Sequence, residues 1–112
     1  ITAASTPEEE EIGYIFHQCN LTGDAPASSV YLGRPWRNYA KVRFINCNLG
    51  AHIHPEGFHD WNKKEAWASL LFGEYQNQGL GSISTKRASF VKQLSQEEYQ
   101  QIMLFRSFFP NL

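Results

Sequence analysis

Apolar residues recur at every second position over several short stretches of the chain, which is the spacing of β-strands. Tyr14 and Phe16 show this alternation first, and Val42 and Phe44 repeat it. A further strand is predicted at 68–75 (ASLLFGEY), followed by a turn at 76–81 (QNQGLG). The strand pattern resumes more weakly at 88–91. The hydrophobic pattern therefore predicts a body made of short β-strands.

One hexapeptide occurs twice. FHQCNL begins at Phe16 and FINCNL begins at Phe44, with four of the six positions identical. A period of a few tens of residues, built from short strands ending in Asn and Gly, is typical of a parallel solenoid in which each coil lies on the one before it. Cys19 would then lie over Cys47. The alternative is two unrelated strands of an antiparallel sheet that share a pattern.

The period changes near the C-terminus. Residues 95–98 (SQEE) form a capping-box sequence, and Tyr99, Ile102 and Met103 then follow at helical spacing. We expect a helix from residue 96 to about 106, with its apolar face packed on the flank of the solenoid.

Two stretches read as loops. Residues 7–11 (PEEEE) are an acidic, solvated loop. Residues 50–66 are rich in His, Pro and Gly, and a long irregular loop of this kind often lines a site.

Composition fits one globular domain with a small core. The chain has 112 residues, a net charge of −1 and 42% hydrophobic residues. Dispersed lysines and arginines give no case for binding nucleic acid or an anionic membrane, and no apolar run could span a bilayer. Because the chain starts at Ile1 and its only methionine is Met103, we expect it to be a piece of a longer polypeptide. The two cysteines could be thiols, one disulfide, or part of a larger framework.

The stretch GRPW carries the strongest chemical signal. Arg34 stands between Gly33 and Pro35, with Trp36 beside them. The forked guanidinium suits a carboxylate or an anionic sugar acid, and an indole offers a flat apolar surface for a sugar ring. The alternative is a structural arginine bound to a backbone carbonyl, next to a core tryptophan.

Other candidates are weaker. A metal site could use His52, His54, His59 and Asp60. The Pro and Gly between these residues argue against convergence, so we expect no metal and no cofactor. Glu56 and Glu74 are acid–base candidates, but each is expected to satisfy loop backbone or face water, because no partner carboxylate can be placed. No nucleophile-elbow motif is present.

Three motifs in series resemble the C-terminal part of the pectin methylesterase (pectinesterase) family. They are residues 32–36 (LGRPW), residues 52–61 (HIHPEGFHDW) and residues 73–81 (GEYQNQGLG) followed by Arg87. The leading residues 1–3 (ITA) resemble the segment just after that family's catalytic strands, so the similarity covers nearly the whole chain in order.

The resemblance implies an all-β, right-handed parallel β-helix. Residues 1–94 would supply its C-terminal coils, and residues 95–112 a closing helix and tail of the same domain. It implies a secreted or extracytoplasmic enzyme that hydrolyses the galacturonate methyl esters of pectin, releasing methanol without a metal. The family uses two aspartates, and the arginine of GRPW is hydrogen-bonded to the nucleophile. Arg34 matches that catalytic and substrate-binding arginine, and Trp36 matches the indole that packs on a sugar ring.

The sequence also departs from the family. The aspartate motifs, of the kind QDT and DFIFG, do not occur, and neither Asp24 nor Asp60 has their context. Family members are about three times as long, more than one small domain needs. We therefore expect a C-terminal fragment that is inactive alone and completed by the N-terminal part of the same enzyme. The alternative is a non-catalytic β-solenoid module that binds acidic polysaccharide. Phe58 replaces a family tryptophan and is expected to alter the aromatic wall of a subsite.

Overall fold

The computed structural model describes residues 1–9 and 12–108. The predicted acidic loop is exposed at Pro7, Glu8 and Glu9, while its last two residues, Glu10 and Glu11, lie outside the described residues. The predicted C-terminal tail also lies outside them at residues 109–112.

The described residues are organised as short strands followed by one helix. The strands are β1 (Thr2–Ala4), β2 (Tyr14–His17), β3 (Asn20–Leu21), β4 (Gly33–Pro35), β5 (Lys41–Ile45), β6 (Asn48–Leu49), β7 (Leu71–Tyr75) and β8 (Val91–Gln93). The helix, α1, spans Gln96–Phe108. Single 3-10 turns lie at Lys64–Ala66, Leu80–Ser82 and Ser84–Lys86. The predicted alternating strands are therefore present, although the one predicted at 68–75 begins at Leu71 and the one at 88–91 begins at Val91.

All strand pairs within the described residues are parallel and fall into three sheets. The sheet orders are β1-β4, β2-β5-β7-β8 and β3-β6. The chain visits the three sheets in turn and then returns to the first, so the first two circuits each add one strand to each sheet, whereas β7 and β8 extend only the large sheet. The predicted stacking of the repeats is confirmed: Phe16 lies opposite Phe44, and Asn20 lies opposite Asn48. Parallel pairing rules out the antiparallel alternative.

Isolated bridges begin a third circuit. Phe58 pairs with Gly33 beside the first sheet, and Gln78 pairs with Asn48 beside the third. The predicted irregular loop at 50–66 thus contributes two paired positions, Phe58 and also Ile53, which pairs with Val30, and the predicted turn at 76–81 contributes one. Neither stretch forms a full strand at these positions.

Aromatic stacking fills the space between the sheets. The rings of Phe16 and Phe44 stack with centroids 4.6 Å apart, and those of Phe58 and Phe72 with centroids 4.4 Å apart. This core also contains Ala4, Leu32, Ala40, Val42, Cys47, Leu49, Ile53, Ala66 and Leu70. Because like residues stack on adjacent parallel strands, the period-2 pattern is enough to build it.

The helix covers the outer face of the large sheet. Ile102 of α1 packs against Ile45 and Leu94, with Tyr99 beside Tyr75 at 4.5 Å between ring centroids. The predicted capping box is present, because Glu98 N–H donates to Ser95 Oγ and Ser95 N–H donates to Glu98 Oε1, both at 3.1 Å. The predicted packing of the helix on the sheet flank is confirmed.

Candidate functional site

Arg34 occupies the centre of β4. Its neighbours Gly33 and Pro35 are buried, whereas the arginine itself is exposed. A Cβ at position 33 would overlap the hydroxyl of Thr2, so glycine lets β4 lie close to β1. Arg34 lies in register with Ala3, and paired residues on parallel strands project to the same side of a sheet. The alanine side chain has no group that could bond the guanidinium.

The charge of Arg34 is uncommitted within the part of the chain that the structure describes. Among those residues, no carboxylate forms an ion pair with the Arg34 guanidinium, and no acceptor receives a hydrogen bond from the guanidinium N–H groups. The alternative of a structural arginine bound to a backbone carbonyl is therefore not what the fold shows.

Trp36 lies at the surface beside a second indole. It is 51% exposed, and its ring centroid is 5.3 Å from that of Trp61, which is 39% exposed. Lys63 holds the two together: its Nζ donates to the Trp36 carbonyl at 2.9 Å and lies 5.7 Å from the centroid of the Trp61 ring. Trp36 is thus not a core residue. It forms one exposed aromatic surface with Trp61, and it lies two residues after Arg34 in the sequence.

The turn that presents Trp61 is fixed by side-chain hydrogen bonds. Trp61 and Asn62 both have positive φ, at 53° and 58°, a conformation that few non-glycine residues adopt. Trp61 N–H donates to His59 Nδ1 at 2.9 Å, and Asn62 N–H donates to Asp60 Oδ1 at 2.9 Å. These local bonds offset the strain. The Asp60 carboxylate also accepts Trp67 Nε1–H at 3.1 Å.

The histidines of this segment make local packing contacts. The ring of His54 stacks on Tyr31 with centroids 4.4 Å apart, and His59 approaches the same tyrosine edge-on at 5.1 Å. Burial, and then the charge of Glu56, raise the pKa of the Tyr31 phenol. His52 is buried near Gly50. Across residues 1–9 and 12–108, no group of three His, Cys, Asp or Glu side chains is placed to hold a metal ion.

Two expectations about side chains are wrong. Glu74 was expected to satisfy loop backbone or face water, but it is buried and paired with Arg87. Register explains this: Glu74 lies opposite Phe44 in the inward-facing row of β7. Phe58 was expected in the wall of a subsite, yet it is fully buried between Phe44 and Phe72. Glu56 is exposed as expected.

Cys19 and Cys47 are free thiols stacked on adjacent coils. Cys47 is buried, and its Sγ donates to the Phe16 carbonyl at 3.2 Å. Burial raises the pKa of the Cys47 thiol, which makes it a poor nucleophile.

Two features of this surface were missed by the sequence reasoning: the partnership of Trp36 with Trp61, and the bond from Lys63. The sequence pointed to Trp61 in part, because this residue is the last of the HIHPEGFHDW motif. Its contact with Trp36 depends on the bridge from Gly33 to Phe58, which no short-range pattern reveals.

The geometry defines a protein of stacked parallel strands with one C-terminal helix among the described residues, an exposed arginine, and an exposed pair of indoles, one of which lies two residues after that arginine. Comparison with known proteins gives the family. The sequence model of the Pectinesterase family matches residues 1–108, and the chain belongs to this family of carboxylic ester hydrolases. No helix within the described residues is long and apolar enough to cross a membrane.

Curated relatives support the same family membership. The chain is 43% identical to "Pectinesterase 2" of Olea europaea over 104 residues, covering 90% of this chain and 27% of that protein. It is 38% identical to "Probable pectinesterase/pectinesterase inhibitor 6" of Arabidopsis thaliana over 91 residues, covering 80% of this chain and 16% of that protein. The chain thus spans less than a third of the length of either relative.

Solved structures are similar as well. The pectin methylesterase from Aspergillus niger superposes with a TM-score of 0.64 at 34% identity, covering 74% of this chain and 27% of the other. The pectin methylesterase from carrot gives a TM-score of 0.58 at 30% identity, covering 62% and 23%.

Proposed function

We propose that this chain is the C-terminal part of a secreted pectinesterase that hydrolyses the galacturonate methyl esters of pectin and releases methanol. The supporting observation is Arg34, an exposed arginine on a strand, with no acidic partner among the described residues and with an alanine beside it on β1. A cation held in this way suits a carboxylate brought by another part of the enzyme.

We infer that the strands belong to a right-handed parallel β-helix. Its last coils are residues 1–94, and the closing helix and tail are residues 95–112 of the same domain. Circuits that visit three parallel sheets in turn support this architecture. Coils added before β1 would extend each sheet beyond β1, β2 and β3, so a residue two strands before β4 would lie about 10 Å from the Arg34 backbone. The alanine between them leaves the guanidinium room to reach it.

In the proposed chemistry, two aspartates of the enzyme take different roles because their protonation states differ. Hydrogen bonds and the positive charge of Arg34 keep one aspartate ionised as the nucleophile, while a second aspartate retains a proton and acts as general acid and then base. The nucleophile attacks the ester carbonyl and methanol leaves with the proton of the acid. Water then hydrolyses the acyl-enzyme and leaves a free galacturonate carboxylate. Neither aspartate is assigned to Asp24 or Asp60.

Trp36 is proposed to bind substrate. Its exposed ring and that of Trp61 present an apolar surface on which the C–H face of a galacturonate ring can pack. The substrate is methyl-esterified homogalacturonan, and the mechanism requires no metal, cofactor, nucleic acid or membrane.

The test is methanol release by the intact protein and its Arg34→Lys variant. Lysine keeps the positive charge but cannot donate two parallel hydrogen bonds to a carboxylate as the guanidinium can. We therefore expect kcat to fall by about 100-fold or more with little change in folding. Arg37→Lys is the matched control, because Arg37 is also exposed but bonds Ser5 Oγ at 3.0 Å; it should stay near wild type. Wild-type methanol release from Arg34→Lys would refute the proposed role.

The rival function is a non-catalytic module that binds acidic polysaccharide through Arg34 and Trp36. It is favoured only if the intact protein binds pectin without releasing methanol. Reading the coding sequence before Ile1 separates the two: aspartate motifs on preceding coils support the enzyme, whereas an unrelated domain supports the module.

A further inference from the structure

Glu74 and Arg87 form the more enclosed of the two ion pairs seen among the described residues. Each side chain is only 4% exposed. Arg87 Nε donates to Glu74 Oε2 at 2.7 Å, and Nη2 donates to Oε1 at 2.9 Å. A buried pair of this kind adds little net stability, because desolvation offsets most of the attraction. Its position in the fold therefore needs another explanation.

The remaining N–H groups of Arg87 bind the main chain of two other segments. Nη1 donates to the carbonyls of Pro55 at 3.0 Å and His54 at 3.4 Å, and Nη2 donates to the carbonyl of Gly81 at 2.7 Å. Gly57 lies directly against the side chain, since a Cβ there would be 2.7 Å from Arg87 Cδ. One guanidinium thus ties β7 to the turn at Gly81 and to residues 54–61, called here the platform segment.

The platform segment is in turn hydrogen-bonded to the strand that carries Arg34. Leu32 N–H donates to the Gly57 carbonyl at 2.7 Å, and His59 N–H donates to the Gly33 carbonyl at 3.0 Å. The same segment ends at Trp61, whose ring lies 5.3 Å from that of Trp36. Arg87 is therefore connected to both functional side chains through main-chain hydrogen bonds.

We propose that Arg87, held by Glu74, is a positioning residue that sets the platform segment, and through it the placement of Trp61 beside Trp36 and the alignment of Arg34. The geometric part of this inference stands without the proposed function; the kinetic part rests on it. Because the Arg87 side chain is only 4% exposed, it would act through the platform segment and not by contact with substrate.

Circular dichroism tests the geometric part in the intact protein. Two close indoles give an exciton couplet, and subtracting the spectrum of a Trp61→Phe counterpart isolates the Trp36–Trp61 contribution. Arg87→Lys keeps the charge opposite Glu74 but cannot bind three carbonyls as well. We expect it to fold and to lose most of the couplet. Ile102→Ala, which removes apolar contacts in the second core cluster, is the control and should keep the couplet while being destabilised.

Kinetics test the consequence for catalysis. Misplacement of a binding surface reduces kcat/KM by about 10- to 100-fold, so Arg87→Lys should show such a loss at a temperature where it is fully folded. Ile102→Ala should stay within about threefold of wild type, as expected for a change remote from the site.

A second variant guards against misfolding of Arg87→Lys. Gly57→Ala places a methyl group against Arg87 and strains a backbone with φ of 77°, while leaving both charges intact. Its control is Gly13→Ala, where φ is 69° and the added methyl would meet Lys41 instead. Gly57→Ala should lose the couplet, and Gly13→Ala should keep it.

The outcomes are distinct. An unchanged couplet in Gly57→Ala, or in folded Arg87→Lys, overturns the inference. Equal loss of the couplet in the control variants also overturns it, because the effect would then follow general destabilisation. A third outcome separates the two proposals: the variants lose the couplet, but the wild-type protein releases no methanol. That outcome supports the positioning role of Arg87 and refutes only the proposed function.

Discussion

At the scale of single residues, Arg34 and Trp36 owe their exposure to their neighbours. Gly33 and Pro35 are buried and fix the strand, so the guanidinium is presented on an ordered backbone and loses less entropy on binding than it would on a free loop. Lys63 and Trp61 hold the Trp36 indole at the surface. Ordered, exposed side chains of this kind are suited to recognition.

Trp36→Ala should weaken substrate affinity rather than chemistry. Loss of an aromatic stacking surface costs about 1–3 kcal/mol, so KM for pectin should rise while kcat changes little. Steady-state methanol release by the intact protein measures both parameters. Tyr14→Ala, which removes another exposed aromatic side chain from β2, is the control and should leave KM unchanged. An unaltered KM in Trp36→Ala would show that the indole does not contact pectin.

At the scale of elements, α1 depends on its first turn. The capping box satisfies two N–H groups, and Lys92 forms an exposed ion pair with Glu98 at 2.7 Å. The hydrogen bond from Lys92, followed by that from Ser95 N–H, lowers the pKa of Glu98. A lowered folded-state pKa means that this contribution is present at neutral pH and is lost as the pH falls through that pKa.

Ser95→Ala should reduce the free energy of unfolding by about 1 kcal/mol, the usual cost of losing an N-cap side chain. Urea denaturation of the intact protein at neutral pH measures this. Ser89→Ala, at an exposed serine before β8, should change stability by less than about 0.5 kcal/mol. Equal denaturation midpoints for Ser95→Ala and wild type would show that the capping box does not stabilise α1.

Local sequence patterns predicted the strands and the helix better than they predicted which side chains contact each other. The repeat at Phe16 and Phe44 and the capping box at Ser95 are short-range signals, and both are confirmed. Burial of Glu74 could not be anticipated, because its position in the inward row follows from the register of β7 and its partner, Arg87, lies in a later segment. A carboxylate looks the same in sequence whether water or a guanidinium solvates it.

At the scale of the whole molecule, each of the three sheets has one edge formed by its first strand. β1, β2 and β3 each form the first strand of their sheets, so any preceding coil would add strands there. Sequence motifs predicted Arg34 and Trp36 as the arginine and the indole of a site; both side chains are exposed, and their functional roles remain predictions. The acid that Arg34 would control has no counterpart in these residues, which is why its role stays a prediction.

The most direct test of that role is the pH dependence of kcat/KM for the intact protein and its Arg34→Gln variant. The acid limb reports the carboxylate that must be ionised to attack. A nearby cation lowers the pKa of that carboxylate, so removing the charge should raise it and move the acid limb to higher pH. Arg37→Gln should leave the limb in place. An acid limb at the same pH in Arg34→Gln and wild type would contradict the account.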